Sequence, residues 1–319
     1  MITEMDLRKS VLPLISIIIP TYKRAAFLSR AVDSALNQSY PNIEVIVVDD
    51  NDPDSVYRAE TEKVMELYSK EYRVHYIKHS HNQNGAAARN TGIRHCEGEY
   101  VCFLDDDDWY LTEKVERQYQ FLKEQPEYTA VYCGWERDGK KVYPNKSGDL
   151  SFELLSGISI IYTNTIMIKR EKAVECGGWD ERFRRNQEAV FLLRFFSLGE
   201  QIGTIPNVLV VFDISDDQNR SNPVQVEKDF DMFLEYNQPA IKRCIDRYPE
   251  AYDKIYSYRY RGVLLNYLKH GRLIHALILY KKMSKLLHKR FRRDCILYFK
   301  RRLLGQCIFG EYEKENPII

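Results

Sequence analysis

The stretch Tyr100-Val-Cys-Phe-Leu-Asp-Asp-Asp-Asp-Trp109 joins a short apolar run to four consecutive carboxylates. The apolar part, Tyr100 to Leu104, predicts a buried strand. Four adjacent carboxylates repel one another unless a cation neutralises them. At the end of a strand in an α/β protein they would lie at the carboxyl edge of the sheet, where open α/β folds bind ligands. The stretch therefore predicts a divalent cation that holds an anionic ligand, and a diphosphate suits this description best.

The four acids have an alternative explanation in local structure. A helical pattern begins near Thr112, and carboxylates stabilise the first turn of a helix through its dipole. A run of acids is also more often exposed surface than a metal site. The choice between these explanations depends on the segments around the acids.

Strands and helices alternate through about the first hundred residues. Apolar, β-branched runs predict parallel strands at Leu14–Ile19, Ile43–Val48, Arg73–Ile77 and Glu99–Leu104. Apolar residues at three- and four-residue spacings predict helices at 25–36, Ser55–Tyr68 and Ala86–Cys96. The alternation indicates an α/β protein with a Rossmann-like, mostly parallel central sheet flanked by helices.

More elements are predicted after the acids. Helical patterns cover Thr112–Glu124 and Gln187–Leu198, and strand patterns cover Thr129–Trp135, Asn164–Ile168 and Asn207–Phe212. Asp138-Gly139 predicts a hairpin turn after the strand that ends at Trp135. A polar break between Asp216 and Pro223 predicts a boundary between a domain of residues 1–220 and a helical C-terminal region of residues 221–319.

Composition excludes several classes of protein. The chain is 44% hydrophobic and 29% charged, which is typical of a folded protein and not of a disordered one. Its seven cysteines form no C-x-x-C pair, so neither a zinc site nor a redox motif is expected. The sequence has neither a signal-peptide pattern nor a run of about 20 apolar residues, so we expect a cytoplasmic protein.

Charge is distributed unevenly along the chain. The segment Arg259–Gly305 contains 14 Lys and Arg residues and one acid, Asp294, whereas the remainder is mildly acidic. A basic amphipathic helix of this kind can lie on an anionic membrane surface, here the inner face of the membrane. The alternative is a helical cap with a solvated basic face, which could contact a second copy in a homo-oligomer. No nucleic-acid partner is expected, because the acidic body would repel the phosphate backbone.

Polar residues follow three of the predicted strands. These segments are Pro20-Thr21-Tyr22, Asp49-Asp50-Asn51-Asp52 and Asp105 to Asp108. The carboxyl ends of parallel strands lie side by side, so the three segments predict one nucleotide site. Carboxylates there suit Mg²⁺ or Mn²⁺ on phosphates, since both ions prefer hard oxygen ligands. The chain has neither a P-loop nor G-x-G-x-x-G, which argues against an NTPase and a dinucleotide dehydrogenase.

Five ordered blocks closely resemble family 2 glycosyltransferases. They are Pro13-x-Ile-Ser-Ile-Ile-Ile-Pro-Thr-Tyr-Lys-Arg24, Ser34-x-x-Asn-Gln-Ser-Tyr-Pro-Asn42, Glu44-x-Ile-Val-Val-Asp-Asp50, Asn84-Gly-x-x-Ala-Arg-Asn-Thr-Gly-Ile93 and Gly98-Glu-Tyr-x-x-Phe-Leu-Asp-Asp-Asp-Asp108. The resemblance covers roughly residues 13 to 212. It implies the GT-A fold and a nucleotide-sugar donor, with a UDP-sugar expected.

The resemblance also implies roles for individual residues. The residues that would border the nucleotide are Pro20, Thr21, Tyr22 and Arg24. Asp50 would contact the base, and Arg89 would line the diphosphate pocket, with a structural ion pair as its alternative role. Asp105 and Asp107 would be the ends of the D-x-D motif that holds Mn²⁺ or Mg²⁺, with Asp107 the first candidate ligand. The register stays open, because Asp105 or Asp106 could lie near the ribose and Asp108 could cap the next segment.

A later block would supply the catalytic base. Gly177-Gly-Trp-Asp-Glu181 is followed by Gln187-Glu188, so the resemblance aligns Glu188 with the base and Gln187 with the acid that usually precedes it. Asp180 is the rival base, and a first-turn helix carboxylate is the structural alternative for Glu188. Candidate sugar-stacking aromatics, each of which could instead belong to the core, are Trp109, Trp179 and Tyr162.

Together the residues and the resemblance predict a metal-dependent, inverting glycosyltransferase. It would move a sugar from a nucleotide diphosphate to a hydroxyl of a glycan or lipid-linked acceptor, in the synthesis of a surface or lipid-linked polysaccharide. Two alternatives stay open at this point. One is a non-catalytic protein that binds sugar nucleotides, and the other is a sugar nucleotidyltransferase, which usually needs a glycine-rich phosphate loop that strand one lacks here.

Overall fold

The computed structural model describes residues 12–159, 161–215, 222–287, 291–293, 295–297 and 300. These residues divide into two compact units. The first unit comprises the described residues of Met1–Leu150 and Ile161–Asp217, and the second those of Ser151–Ile160 and Gln218–Ile319. The division thus falls close to residue 220, but the segment Ser151–Ile160 goes with the second unit, which the sequence pattern did not indicate.

The first unit is built on one sheet. Its strands within the described ranges are β1 (Ile15–Thr21), β2 (Ile43–Asp49), β3 (Val74–Lys78), β4 (Tyr100–Phe103), β5 (Trp109–Tyr110), β6 (Ala130–Arg137), β7 (Lys140–Val142), β8 (Ile166–Lys169) and β9 (Ile202–Phe212). The helices of this unit are α1 (Ala25–Leu36), α2 (Val56–Met65), α3 (Gly85–His95), α4 (Lys114–Glu124), α6 (Arg170–Glu175) and α7 (Gln187–Ser197), with α5 (Ser151–Ser156) belonging to the second unit.

The strands run in the order β3-β2-β1-β4-β8-β6-β9-β5, and β7 pairs with β6. Strands β1 to β4 pair in parallel, whereas β8 is antiparallel to both of its neighbours, β4 and β6. Two antiparallel pairings in succession restore the original direction, so β6 and its parallel partner β9 run in the same direction as β1 to β4. The carboxyl ends of β1, β2, β4, β6 and β9 therefore share one edge of the sheet.

Burial explains why β1 and β2 have near-continuous apolar sequences. Every residue of β2 is buried, and β1 is buried except at Pro20, because helices cover both faces of the sheet. Each fully buried isoleucine or valine contributes roughly 1.5–3 kcal/mol relative to an exposed one. Helix α3 approaches the sheet closely at Gly92, where an added Cβ would lie 2.4 Å from Ile18. This close approach brings the start of α3 to the ends of the strands.

The structure changes the bounds of several predicted elements. Helix α2 ends at Met65 and continues only as a 3-10 turn over Glu66–Tyr68. The predicted strand at Asn164 begins instead at Ile166, after a 3-10 turn over Thr163–Thr165. Strand β9 begins at Ile202 and not at Asn207, and its pairing with β6 shifts register beside Gly134. Pro206, which cannot donate to the ladder, lies in this irregular part, so the sequence hides the first half of the strand.

The hairpin predicted at Asp138-Gly139 is confirmed, since β6 and β7 pair across these two residues. Both have positive φ, 51° and 69°, as a two-residue type I′ turn requires. Elements that the sequence did not reveal are the two-residue strand β5 and the six-residue helices α5 and α6. They are too short for a hydrophobic period to be visible.

The second unit is helical. It contains α5, α8 (Pro223–Tyr236), α9 (Gln238–Arg247), α10 (Ala251–Lys269) and α11 (Leu273–Leu286). Buried Arg259 on α10 donates to the carbonyl oxygens of Leu154 and Leu155, which ties α5 to this unit. None of the described helices is long and apolar enough to cross a membrane. Part of the basic segment predicted at Arg259–Gly305, including residues 288–290 and 301–305, lies outside the described residues, as does the polar break at 216–221.

Candidate functional site

The carboxyl ends of β1, β2 and β4 bring the three polar segments together, as the parallel pairing predicted. The backbone N–H of Tyr22 donates to Asp106 Oδ2 at 3.3 Å, which joins the end of β1 to the acids after β4. The backbone N–H of Lys23 donates to Asn51 Oδ1 at 2.9 Å, which joins it to the end of β2. Thr21 is buried between them and Tyr22 is partly exposed.

Asp50 is buried and organises the loop before α3. Its Oδ1 accepts from His79 Nδ1 and from the N–H of Gln83, each at 2.8 Å. Its Oδ2 accepts from Asn82 Nδ2 and from the N–H of Asn84, also at 2.8 Å. A carboxylate has about four acceptor positions, so these four donors fill it. The geometry therefore favours a positioning role for Asp50, and its direct contact with a base stays a prediction.

The same loop starts helix α3. Asn84 has a φ of 95°, and its side chain caps the helix by accepting from the N–H groups of Ala86 and Ala87. His79 links the loop to the helix a second time, because its Nε2 lies 2.9 Å from the hydroxyl of Thr91. The chain from Asp50 through this loop thus sets the orientation of α3, which carries Arg89.

Arg89 connects two distant parts of the site. Its Nη2 pairs with Asp105 Oδ1 at 2.5 Å, and its Nη1 donates to Gln187 Oε1 at 2.9 Å. The guanidinium also lies over the ring of Trp179, 5.0 Å from the centroid. One buried side chain therefore holds the acids after β4 next to the start of α7, and the ion pair expected as its alternative role is present.

The side chains of the four acids alternate between accessible and buried positions. The side chains of Asp105 and Asp107 are 35% and 17% exposed, whereas those of Asp106 and Asp108 are buried. Arg24 pairs with Asp107 at 2.6 Å and lies 3.6 Å from Asp106. The two accessible carboxylates, which are the ends of the expected D-x-D motif, are thus each neutralised by an arginine.

The two buried acids have raised pKa values. Burial raises the pKa of Asp106 to about 7, and it raises that of Asp108 to about 8, with the charges of neighbouring aspartates adding to both shifts. Asp108 accepts from Asn164 Nδ2 at 2.5 Å and from the N–H of Asp213 at 2.8 Å. Asp108 therefore anchors the segments before β8 and after β9 and does not cap the helix that follows it.

The carboxylates at this edge of the sheet are of a chemical type that binds divalent cations. In the described part of the chain, no group of three or more His, Cys, Asp or Glu side chains could by itself hold a metal ion. Asp105 and Asp107 nevertheless offer two outward carboxylates, and Mg²⁺ commonly takes one or two carboxylates together with substrate phosphates. A metal at this place would therefore depend on phosphate oxygens supplied by the ligand.

Glu188 lies in the first turn of α7, next to the residue that Arg89 contacts. The helix begins after Asn186, which has a left-handed φ of 55°, and Glu188 is half-buried. The rival base, Asp180, forms a bidentate pair with Arg182. The Nε and Nη2 atoms of Arg182 donate to the two carboxylate oxygens at 2.9 Å and 2.6 Å. Both oxygens of Asp180 are thus engaged by Arg182, and the choice between Glu188 and Asp180 as the base stays a prediction.

The glycine directly before Trp179 is required by its backbone conformation and by the closeness of Asn90. Gly178 has a φ of 65°, and an added Cβ would lie 2.6 Å from Asn90 Oδ1. Asn90 accepts from the N–H of Trp179 and donates to its carbonyl oxygen, each at 2.8 Å. The indole is 1% exposed and stacks on Phe191 at 4.5 Å. Trp179 is therefore a core residue, and its predicted role in stacking on a sugar is wrong for this geometry.

The other two aromatic candidates are half-buried. Trp109 carries the guanidinium of Arg30 over its ring at 4.3 Å. Tyr162 packs edge-on against Trp135 at 5.1 Å, and the guanidinium of Arg137 lies 5.4 Å from the Tyr162 ring. Trp135 and Arg137 belong to the carboxyl half of β6 and so share the edge that carries the acids. The sequence did not single them out, because an aromatic residue near a strand end has no distinguishing pattern.

A family model and several curated relatives all match this chain to glycosyltransferases. The family model described as Glycosyl transferase family 2 matches residues 16–191. An uncharacterized glycosyltransferase of Rickettsia bellii is 40% identical over 149 residues, which is 45% of this chain and 20% of that protein. The amylovoran biosynthesis glycosyltransferase AmsB of Erwinia amylovora is 26% identical over 307 residues, 91% of this chain and 95% of that protein. Several other relatives are also matched over less than two thirds of their length, between 22% and 61%.

Solved structures share the fold. The mannosyltransferase PcManGT of Pyrobaculum calidifontis, in complex with GDP-Man and Mn²⁺, has a TM-score of 0.58 and 18% identity, covering 90% of this chain and 84% of that one. S. aureus TarS 1-349 in complex with UDP-GlcNAc has a TM-score of 0.56 and 16% identity, covering 92% and 93%. The predicted GT-A fold is confirmed by these likenesses.

Proposed function

Because the chain belongs to glycosyltransferase family 2, we propose that it transfers a glycosyl group from a nucleotide diphosphate to an acceptor hydroxyl, with inversion. The observation that carries this proposal is the double contact of Arg89. It joins Asp105, at the expected diphosphate end of the site, to Gln187, the neighbour of the expected base. This contact supports the proposal because it would hold the leaving group and the base on one framework, as a single displacement requires.

The donor is proposed to be a UDP-sugar. Pro20, Thr21 and Tyr22 would border the nucleotide, while Asp50 would shape its pocket by holding the loop before α3. The TarS structure holds UDP-GlcNAc and the PcManGT structure holds GDP-Man, so relatives of this fold accept different bases. The likeness of fold therefore does not by itself select UDP over other nucleoside diphosphates.

Mn²⁺ or Mg²⁺ is proposed to be held by Asp107 and Asp105 together with the donor phosphates. The ion would neutralise the charge that develops on the leaving diphosphate. Arg24 and Arg89 at present neutralise these carboxylates. Arg24 and Arg89 are the groups that would bind the diphosphate oxygens of the donor, because the planar guanidinium group suits such oxygens.

Glu188 is proposed to remove the proton from the acceptor hydroxyl. General-base assistance of this kind contributes typically about 10²- to 10⁴-fold to the rate. Gln187 is uncharged and engaged by Arg89, so it adds no like-charge repulsion to the neighbouring Glu188.

The acceptor is proposed to be a growing glycan or a lipid-linked sugar in polysaccharide synthesis. AmsB, to which the chain is similar over most of its length, is named for amylovoran biosynthesis. Trp135 and Tyr162 offer half-buried rings at the edge that carries the acids, and an aromatic ring can stack on the apolar face of a sugar. We place the acceptor on this side, beside β6 and β9.

The test is a measurement of donor turnover with Mn²⁺, for the wild type and for Glu188→Gln and Asp180→Asn. We expect Glu188→Gln to lose about 10²-fold or more in kcat with little change in donor affinity. Asp180→Asn loses less and mainly through stability, because Asp180 is paired with Arg182. Unchanged turnover in Glu188→Gln would remove Glu188 as the base.

The same assay separates the rival functions. A protein that only binds sugar nucleotides shows a thermal shift with the donor but neither hydrolysis nor transfer. A nucleotidyltransferase releases pyrophosphate from a nucleoside triphosphate and a sugar phosphate. A screen of nucleotides by thermal shift identifies the base, because stabilisation grows as RT ln(1 + [L]/Kd).

A further inference from the structure

Helix α11 has two apolar faces, and only one of them is covered by the described residues. Ala276, Leu279 and Met283 recur at three- and four-residue spacing and are buried. They form the face that packs in the second unit, where α10 is the neighbouring helix. A helix that needed only this packing would have a polar opposite face.

The opposite face begins with four large aliphatic side chains. Leu273, Ile274, Leu277 and Ile278 are 66%, 74%, 54% and 62% exposed, and they are contiguous over the first two turns. Single exposed apolar residues are normal, but a contiguous patch on a folded surface usually marks an interaction site. We call these four residues the aliphatic patch.

Lysines continue the same face. Lys281, Lys282 and Lys285 are exposed and follow the aliphatic patch over the last two turns of α11. No carboxylate of the described residues lies within ion-pair distance of these three lysines. They belong to the segment Arg259–Gly305, which contains 14 basic residues and a single acid. The outer face of α11 is thus apolar in its first half and cationic in its second.

We propose that this outer face of α11 binds the surface of an anionic lipid bilayer. The helix has 14 residues, too few to span a bilayer, so it would lie in the interface with the aliphatic patch among the acyl chains. Lipid phosphates would then meet the lysines. A second copy of the chain suits this face less well, because an isologous contact brings two cationic faces together without acids between them. The inference is independent of the transferase chemistry.

The test is flotation of the full chain with vesicles of phosphatidylcholine, with and without phosphatidylglycerol. We expect binding to the anionic vesicles only, weakening as salt is raised. Replacement of the aliphatic patch by glutamine, which keeps helix propensity, lowers the partition coefficient by on the order of 100-fold. Replacement of the three lysines by glutamine lowers it roughly 100-fold, since each lysine near an anionic surface contributes about five-fold.

Matched variants control for hydrophobicity and charge in general. The apolar control replaces four exposed side chains elsewhere by glutamine, namely Leu67, Val174, Leu198 and Met232. The charge control replaces exposed Lys63, Lys70 and Lys123 by glutamine. Both controls should float as the wild type does, and all variants should keep its melting temperature within a few degrees, because every altered side chain is exposed.

Three results would overturn the proposal. The first is a wild-type chain that stays at the bottom of the gradient with anionic vesicles. The second is a variant without the aliphatic patch that still floats, which would assign the binding to charge elsewhere. The third is a wild-type dimer in light scattering that becomes monomeric when the aliphatic patch is replaced, which would assign the face to a second copy.

Discussion

At the scale of single residues, the four aspartates after β4 differ because the backbone turns each one to a different environment. Asp106 and Asp108 are buried and have raised pKa values, while Asp105 and Asp107 remain accessible and are paired with arginines. Adjacent residues of the same type can therefore divide into two buried structural anchors and two accessible carboxylates. This division supports the proposal that the metal is held by Asp105 and Asp107.

Removal of one accessible carboxylate tests the metal role. Asp107→Asn should abolish the part of the UDP thermal shift that depends on Mn²⁺ and lower turnover by about 10²- to 10³-fold, because charge on the leaving group is no longer neutralised. Differential scanning fluorimetry with UDP, with and without Mn²⁺ or EDTA, gives the measurement. Glu127→Gln, at an exposed position, is the control and should keep the full shift. An unchanged Mn²⁺-dependent shift in Asp107→Asn would contradict the assignment.

Asp213 gives a prediction for pH. Burial opposes its ionisation, but hydrogen bonds from Ser215 and pairing with Arg30 outweigh this and lower the pKa from 3.8 to about 2. Because the pKa of Asp213 is lower in the folded protein than in the unfolded chain, the ionised side chain stabilises the fold at pH values above 3.8. This stability is lost as the pH falls through about 2. In metal-free urea unfolding, Asp213→Asn should cost about 1–2 kcal/mol at pH 6, and the difference from wild type should shrink below pH 4. A difference that is constant from pH 6 to pH 3 would refute this.

At the scale of elements, the loops around α3 and α7 set the geometry of the site. Helix α3 lies close to β1 at Gly92, begins at the Asn84 cap and carries Arg89 towards the acids. Helix α7 begins at Gln187, which accepts from Arg89 of α3, and the turn at Gly178-Trp179 lies against Asn90 of the same helix α3. Arg89 of α3 thus joins the two helices, and this contact holds the start of α7, with the expected base, close to the expected metal ligands.

A pair of glycine substitutions separates backbone strain from steric clash. Gly178→Ala and Gly139→Ala both place a Cβ at positive φ, 65° and 69°, but only Gly178 has a neighbour, Asn90, within 4 Å. Gly139→Ala should cost about 1–2 kcal/mol of unfolding free energy from backbone strain alone. Gly178→Ala should cost clearly more and should also lower turnover, since Asn90 and Trp179 must shift. Equal costs in chemical denaturation would show that the Asn90 contact adds nothing.

At the scale of the whole molecule, the chain does not divide at a single point. Segment Ser151–Ile160 interrupts the first unit and belongs to the second, where α5 contacts α9 and α10. Three of its apolar side chains, Phe152, Leu154 and Leu155, are buried. The helical unit is therefore built from two separate parts of the sequence, although a boundary near residue 220 looks sufficient when the sequence is considered alone.

A truncation at the apparent boundary tests this organisation. A fragment of residues 1–220 keeps α5 but loses its helical partners, so it should expose Phe152 and Leu155 and bind a hydrophobic dye or aggregate. The same fragment with both residues replaced by serine should be more soluble and bind less dye. Size-exclusion chromatography and dye fluorescence of the two fragments give the comparison. A monomeric 1–220 fragment that binds no dye would contradict the assignment of α5 to the second unit.

Much of the fold follows from local sequence because its signals are local. Apolar runs mark β1 and β2, the Asp138-Gly139 pair marks a hairpin, and polar residues after three strands mark one edge of a parallel sheet. Each of these features depends on the period of a strand or the φ preference of a residue, which neighbours along the chain largely determine. The sequence by itself determined the α/β class, the family and the location of the acids.

Only the tertiary structure decided which side chains meet. Arg89 and Gln187 are 98 positions apart, and no local pattern predicts that their contact also includes Asp105. The burial of Trp179 likewise depends on Phe191 packing against it. The physical reason is that propensity and periodicity act between neighbours in the chain, whereas exposure, charge pairing and pKa depend on groups brought together by packing. The acids that the sequence locates after β4 obtain their separate roles from these distant partners.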